Sequence, residues 1–185
     1  MLNRVKPQYY SLTHPHPLWT SPENSFEVRK AVTVGIMMSG RYVTDHRARH
    51  WSKTNPQGFC NLCFAARKND DRSNHSSMPL GSLEHLLLDC PELSNTRHDA
   101  KLLWLKYTED KPKIRTLLID TINPSLNDWL PDMQVLIDPT VYPYMIRAAQ
   151  HEGAGIYSHV LYLSRTWCSM LHNRCIKLLK LLNIV

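Results

Sequence analysis

Residues 58–63 read GFCNLC and residues 83–97 read LEHLLLDCPELSNTR, which sets Cys60, Cys63, His85 and Cys90 in a C-x2-C-x21-H-x4-C order. Zn²⁺ takes tetrahedral sets of soft and borderline donors, and this spacing suits it: the C-x2-C turn aims two thiolates at one ion while the H-x4-C pair closes the other side. Three sulfurs and one imidazole leave no position for water, so the ion expected here is structural Zn²⁺ rather than catalytic. The surrounding chain calls for such help. From Gly40 to Pro91 polar and basic residues dominate and no long helical period develops, whereas structural zinc contributes about 10 kcal/mol or more to small finger peptides. Two other readings stand beside this one. Cys60 and Cys63 as a redox pair would call for a nearby βαβ pattern, which is not found; ordinary buried thiols, with His85 facing a core, is the other. His75, in the loop-like DRSNHSS at 71–77, competes for the fourth position, but the reach from His85 to Cys90 favours His85.

On either side of this segment the pattern is helical. Asn24 suits a helix N-cap, with Glu27 three residues on to close a capping box. Val28, Ala31, Val32, Gly35 and Ile36 then recur at helical spacing until Gly40 ends the run. After Pro91, Leu93, Ala100, Leu103, Trp104 and Tyr107 share a helical face, and shorter patterns follow around 112–121, 127–137 and 141–151. Gly153 and Gly155 precede a last long helix with Ile156, Val160, Leu163, Trp167, Leu171, Leu178 and Leu182 on a broad apolar face. Cys168 and Cys175 lie two turns apart on it and read as buried small hydrophobes, and Trp104, Trp129 and Trp167 read as core. Residues 1–23, broken by Pro7, Pro15, Pro17 and Pro22, read as an irregular lead-in. The expected fold is mainly α: a helix at 24–40, a basic zinc-knuckle-like insertion at 41–92, and a helical region at 93–185.

Composition narrows the function classes. The chain has 185 residues, 43% of them hydrophobic, enough for one domain with a core. Five cysteines at irregular spacing do not make a secreted disulfide framework. The first twenty residues lack the apolar run of a signal peptide, and nowhere do 18 apolar residues run together. The expectation is therefore a soluble intracellular protein, nuclear or cytoplasmic and not secreted, without a membrane partner. The formal charge of +6, from 22 Lys and Arg against 16 Asp and Glu, is unevenly spread. Arg41, Arg47, Arg49 and Lys53 face only Asp45, with Tyr42 and Trp51 among them, a basic and aromatic mixture suited to phosphate contact and base stacking. Arg165, Arg174, Lys177 and Lys180 on the last helix add a second positive surface.

The strings SGRYVTDHRARHWS at 39–52, GFCNLC at 58–63, LEHLLLDCPELSNTR at 83–97 and LYLSRTWCSMLH at 161–172 resemble the region downstream of the polymerase in LINE-type (non-LTR) retrotransposon reverse transcriptases. The resemblance covers roughly residues 25–175. It implies a nucleic-acid-associated zinc-knuckle segment, with Cys60, Cys63, His85 and Cys90 at the ligand positions. RNA or single-stranded DNA is the favoured partner, because knuckle-like sites present aromatics and backbone groups to unstacked bases; a small-molecule substrate is not expected. The polymerase's paired aspartates have no counterpart, since Asp70-Asp71 sits in a polar loop, so the chain is expected to be a detached C-terminal fragment without catalysis. Some related elements carry a restriction-like nuclease after the knuckle. Arg97-His98-Asp99, Asp132 and Asp138 are the only echoes of one, and no lysine follows at short spacing. A zinc-stabilised helical module that binds proteins is the remaining alternative.

Overall fold

A computed structural model describes residues 17–50, 52–67, 78–116, 130–131, 133–141, 147 and 155–183. The fold is mainly helical, and among the described residues the sole β pairing is an isolated antiparallel bridge between Phe59 and Leu80. In chain order the helices are α1 (Pro17–Thr20), α2 (Ser25–Met38), α3 (Asp45–Ala48), α4 (Asn61–Arg67), α5 (Ser94–Thr108), α6 (Pro112–Arg115), α7 (Met133–Ile137) and α8 (Gly155–Leu181). A π-helical turn, His85–Asp89, and a 3-10 turn, Pro91–Leu93, lead into α5. No described helix is long and apolar enough to cross a membrane.

The centre of the packing is α8. Its Ile156, Val160, Leu163, Trp167 and Leu171 are buried, as the sequence pattern expects, while Leu178 is half-buried and Leu182 is exposed beyond the core. Helices α2, α5 and α7 pack around it. Trp104 of α5 and Trp167 of α8 meet edge to face with centroids 5.7 Å apart, both fully buried. Each indole finds a carbonyl: Trp104 Nε1 donates to Leu163 O at 3.1 Å and Trp167 Nε1 to Leu87 O at 3.3 Å. The second bond ties the π-helical turn directly to the helical core. Cys168 and Cys175 are buried as expected, and burial pushes each thiol up to about 12.

Several expectations need correction. The lead-in is not irregular throughout, since Pro17–Thr20 forms a helical turn that delivers Leu18 to the core. Helix α2 is capped as expected, Asn24 Oδ1 accepting from the Phe26 and Glu27 amides at 3.0 Å each. Glu27, however, turns inward rather than back to the cap. The buried stripe of α2 is Glu27, Ala31, Val34 and Met37, while Val28, Val32 and Ile36 are exposed, a rotation of the face read from the sequence. On α5, Leu103 is likewise exposed, and Ala100, Trp104 and Thr108 carry the inner face. Arg165 belongs to no positive surface: it is 2% exposed, its Nε lies 3.4 Å from Glu27 Oε2, and its Nη1 donates to Ser21 Oγ at 2.6 Å. Burial of both partners rotates α2, because a charged side chain enters a core only where a counter-charge meets it. The helical patterns at 112–121 and 127–137 survive as α6 and α7; most of their remainders, most of 141–151, and Trp129 lie outside the described residues.

Candidate metal centre

The loop after α2 is built to present Cys60 and Cys63 at the start of α4. Thr44 caps α3, its Oγ1 accepting from Arg47 N at 3.2 Å. Asp45 then reaches to the N-terminus of α4, accepting from Asn61 N at 2.9 Å and from Asn61 Nδ2 at 2.7 Å. An acid placed there satisfies an amide that the helix leaves without an internal partner and suits the positive end of its dipole. Burial raises the pKa of Asp45, against the pull of the Asn61 backbone bond. Asn55 closes the turn before the ligands, with Oδ1 accepting from Phe59 N at 3.0 Å and Nδ2 donating to Phe59 O at 2.7 Å. Gly58 has φ +70, and a Cβ there would lie 2.7 Å from His46 Cα, so no other residue allows the loop to pass α3 this closely.

The second half of the centre arrives antiparallel to the first. Cys60 N donates to Pro79 O and Gly81 N to Gly58 O, each at 2.9 Å, and His46 N donates to Gly81 O at 3.2 Å. Ser82 Oγ then accepts from His85 N at 3.0 Å, starting the π-helical turn that carries the imidazole. Cys90 follows directly, its amide donating to His85 O at 2.6 Å.

The four side chains meet. One donor atom from each of Cys60, Cys63, His85 and Cys90 lies within 4.8 Å of every other, and all four residues are buried. Cys60 Sγ is 3.9 Å from Cys90 Sγ, Cys63 Sγ is 3.7 Å from Cys90 Sγ, and His85 Nε2 is 3.4 Å from Cys63 Sγ. A tetrahedral ion with metal–sulfur bonds of about 2.3 Å sets its sulfurs about 3.8 Å apart, so the spacing fits a four-coordinate S3N metal site. It is far too long for a disulfide, and all five cysteines are free thiols.

Three sulfurs this close cannot all be charged. Hydrogen bonds from Cys60 and Cys63 hold the Cys90 thiol far below its ordinary range, and hydrogen bonds to Cys60 and Cys90, then burial, drive Cys63 far up. Protons shared in this way would leave if a dication took their place, which would couple metal uptake to proton release. A cleft of about 320 Å³ borders the centre, lined by Cys63, His85, Arg67, Asp89 and Glu92 among others.

The basic stretch is distributed around this loop. Arg41, Arg47 and Lys53 are exposed, and Arg49 is half-buried with Nη1 3.3 Å from His46 Nδ1. Tyr42 is engaged elsewhere: its hydroxyl lies 2.8 Å from His172 Nδ1, the rings meet edge to face, and burial raises the phenol's pKa. Trp51, His75, Asp70, Asp71 and Asp132 lie outside the described residues. Asp138 is buried and accepts from the Thr140 amide at 3.1 Å and hydroxyl at 2.5 Å. Sequence reasoning missed Asp45, Asn55 and Ser82 as organisers of the site; Asp45 did carry a signal, as the lone acid in a basic run. No protein-family model matches the chain, and no curated protein or solved structure matches it either.

Proposed function

We propose that the centre binds a structural Zn²⁺ and that the zinc-organised loop displays a basic surface to RNA or single-stranded DNA, without catalysis. Three sulfurs and one imidazole are the donors that Zn²⁺ favours over Mg²⁺ or Ca²⁺, which take oxygen. Four protein donors, all buried, leave the ion no open position, so its role is to hold the loop.

One observation carries the nucleic-acid reading. The basic stretch is hydrogen-bonded to the metal loop itself, through Asp45 to Asn61 and through His46 to Gly81, so whatever orders the loop also fixes Arg47 and its neighbours. Exposed Arg41, Arg47 and Lys53 then offer positive charge to phosphates on a fixed frame, and Arg174, Lys177 and Lys180 of α8 are exposed as well. The resemblance to non-LTR reverse transcriptases supports the same reading. The test is binding of zinc-loaded protein to single-stranded RNA and DNA across a salt series. Removing one phosphate-neutralising cation, by Arg41→Ala, Arg47→Ala or Lys53→Ala, lowers the slope of log K against log salt by about 0.7. A slope near zero in the wild type, or one unchanged by the triple variant, overturns the assignment.

A second reading is favoured by the outer face of α2. Val28, Val32 and Ile36 are each more than 40% exposed, and Trp19 packs its ring on Gly35 beside them, half-exposed itself. An apolar stripe of this kind suits a protein partner, and a zinc-stabilised interaction module would use it while binding no nucleic acid. The same salt series separates the two.

A further inference from the structure

The three sulfurs of the metal set are not equally sheltered. Cys60 and Cys90 are 0% exposed, and neither borders the cleft of about 320 Å³ beside the centre. Cys63 lines that cleft, with His85, Ala66, Arg67, Asp89 and Glu92. A small molecule in the cleft therefore meets Cys63 before either of the other two. Outside the metal set the charged lining is Asp89 and Glu92 against Arg67, so the cleft admits an uncharged reagent more readily than an anion. Zinc ligation holds all three sulfurs as thiolates, the reactive form of cysteine, so access decides which of them reacts first. Cys168 and Cys175, buried on α8, stay neutral thiols. A second sulfur is in place behind the first: Cys90 Sγ lies 3.7 Å from Cys63 Sγ, closer than its 3.9 Å to Cys60 Sγ. Cys90 stands between the π-helical turn His85–Asp89 and the 3-10 turn Pro91–Leu93, outside any α-helix, so of the two it is the freer to turn; Cys63 is held within α4.

We propose that Cys63 is an oxidation site reached through the cleft by hydrogen peroxide, and that Cys90 resolves it to a Cys63–Cys90 disulfide that releases the metal. This rests on the zinc reading above. In the first step the Cys63 thiolate attacks one peroxide oxygen: an S–O bond forms, the O–O bond breaks and hydroxide leaves, so the sulfur is oxidised to a sulfenic acid and the peroxide is reduced. In the second the Cys90 thiolate attacks the Cys63 sulfur: the S–S bond forms, the S–O bond breaks and a second hydroxide leaves. Both hydroxides take protons from solvent and become water. The ion then keeps only Cys60 and His85, where a stable structural site has four donors, and it departs. A dithiol reductant reverses the bridge, and zinc can return.

The experiment treats the zinc-loaded full chain with hydrogen peroxide, follows zinc release with a chromogenic chelator, and maps disulfides by mass spectrometry of peptides. Zinc release is expected to rise in step with a Cys63–Cys90 bridge as the first disulfide, and dithiothreitol with added zinc should restore the loaded form. Limiting N-ethylmaleimide on the loaded protein should label Cys63 ahead of Cys60 and Cys90. Ala66→Leu, which narrows the cleft without touching a ligand, should slow release by peroxide while zinc affinity stays unchanged. In the wild type, tert-butyl hydroperoxide and the anionic glutathione disulfide should both act more slowly than hydrogen peroxide. A first bridge between Cys60 and Cys63 or between Cys60 and Cys90 overturns the proposal, as does first labelling at Cys60 or Cys90. Zinc release without any disulfide overturns it too, and so do equal rates for the small and the bulky peroxide, a comparison that stands even where Ala66→Leu does not fold. A wild type that binds no zinc overturns the metal reading itself, and with it the release; a chain that binds zinc but fails the mapping overturns this proposal alone.

Discussion

The buried pair between α2 and α8 gives a prediction that the structure sizes. Glu27 holds two cations: Lys30 Nζ at 2.9 Å from Oε1 and Arg165 Nε at 3.4 Å from Oε2. The three side chains are 11% exposed for Glu27, 11% for Lys30 and 2% for Arg165. Glu27→Gln therefore leaves two cations facing each other, one fully buried, and should cost about 3–5 kcal/mol. Arg165→Met is milder, because Lys30 stays with Glu27 and Met fills part of the space; without the Ser21 bond, about 1–3 kcal/mol is expected. Glu27→Gln with Arg165→Met together should cost less than the sum of the two by about 1–3 kcal/mol, the coupling typical of partners in one network. Urea unfolding of zinc-loaded protein reads this directly. With a slope of about 2 kcal/mol per molar, Glu27→Gln lowers the midpoint by about 2 M. Two single variants that each cost under about 1 kcal/mol, with costs that add, would show that the pair does not set the face α2 buries.

Three further outcomes concern the loop and α8. Gly58→Ala must adopt a positive φ and press a Cβ against His46 backbone, whereas Gly40→Ala, at φ +65, meets nothing within 4 Å; the first should be destabilised by about 1–3 kcal/mol more than the second in thermal unfolding, and equal effects would refute the close approach. Asp45→Ala removes both bonds to Asn61 and should cost about 1–2 kcal/mol, seen as a weaker zinc affinity in chelator competition; unchanged affinity would mean the α4 start needs no help. Burial holds His172 below the ordinary imidazole range, so the unfolded chain takes up its proton first as pH falls. Its contribution to stability is complete above a pH of about 6.5 and is lost as pH drops through the lower folded value. Urea midpoints should therefore fall less steeply below neutrality in His172→Gln than in wild type, and parallel curves would refute this.

What the sequence revealed and what it hid follow from the range of the forces involved. The metal set was legible because the chemistry restricts it to a few residue types and the two short-range spacings, C-x2-C and H-x4-C, are local. The apolar stripe of α8 was legible too, since Val160, Leu163, Trp167 and Leu171 hold helical spacing; that the helix is also buried on its other sides, at Leu161, Ser164, Arg165 and Cys168, was not. The face of α2 was not. Apolar residues line two sides of that helix, and the choice between them is made by Arg165, far along the chain, whose partner Glu27 looks like a cap residue until the helices are packed. Arg165 was misplaced for the same reason: in sequence it is one more base on a basic helix. Asp45 and Asn55 act on backbone groups of a loop whose course depends on the Phe59–Leu80 bridge, a pairing between segments that no periodicity announces.

The central claim is that three sulfurs and an imidazole from two ends of one loop hold a single structural ion, and a metal titration of the purified full chain tests it most directly. Wild type should bind one Zn²⁺ per chain, and Co²⁺ in its place should show the intense visible bands of a tetrahedral sulfur-rich site. Cys63→Ser should bind far more weakly and lose those bands. A wild type that stays metal-free with one equivalent added, or a Cys63→Ser variant that matches it, would contradict the account.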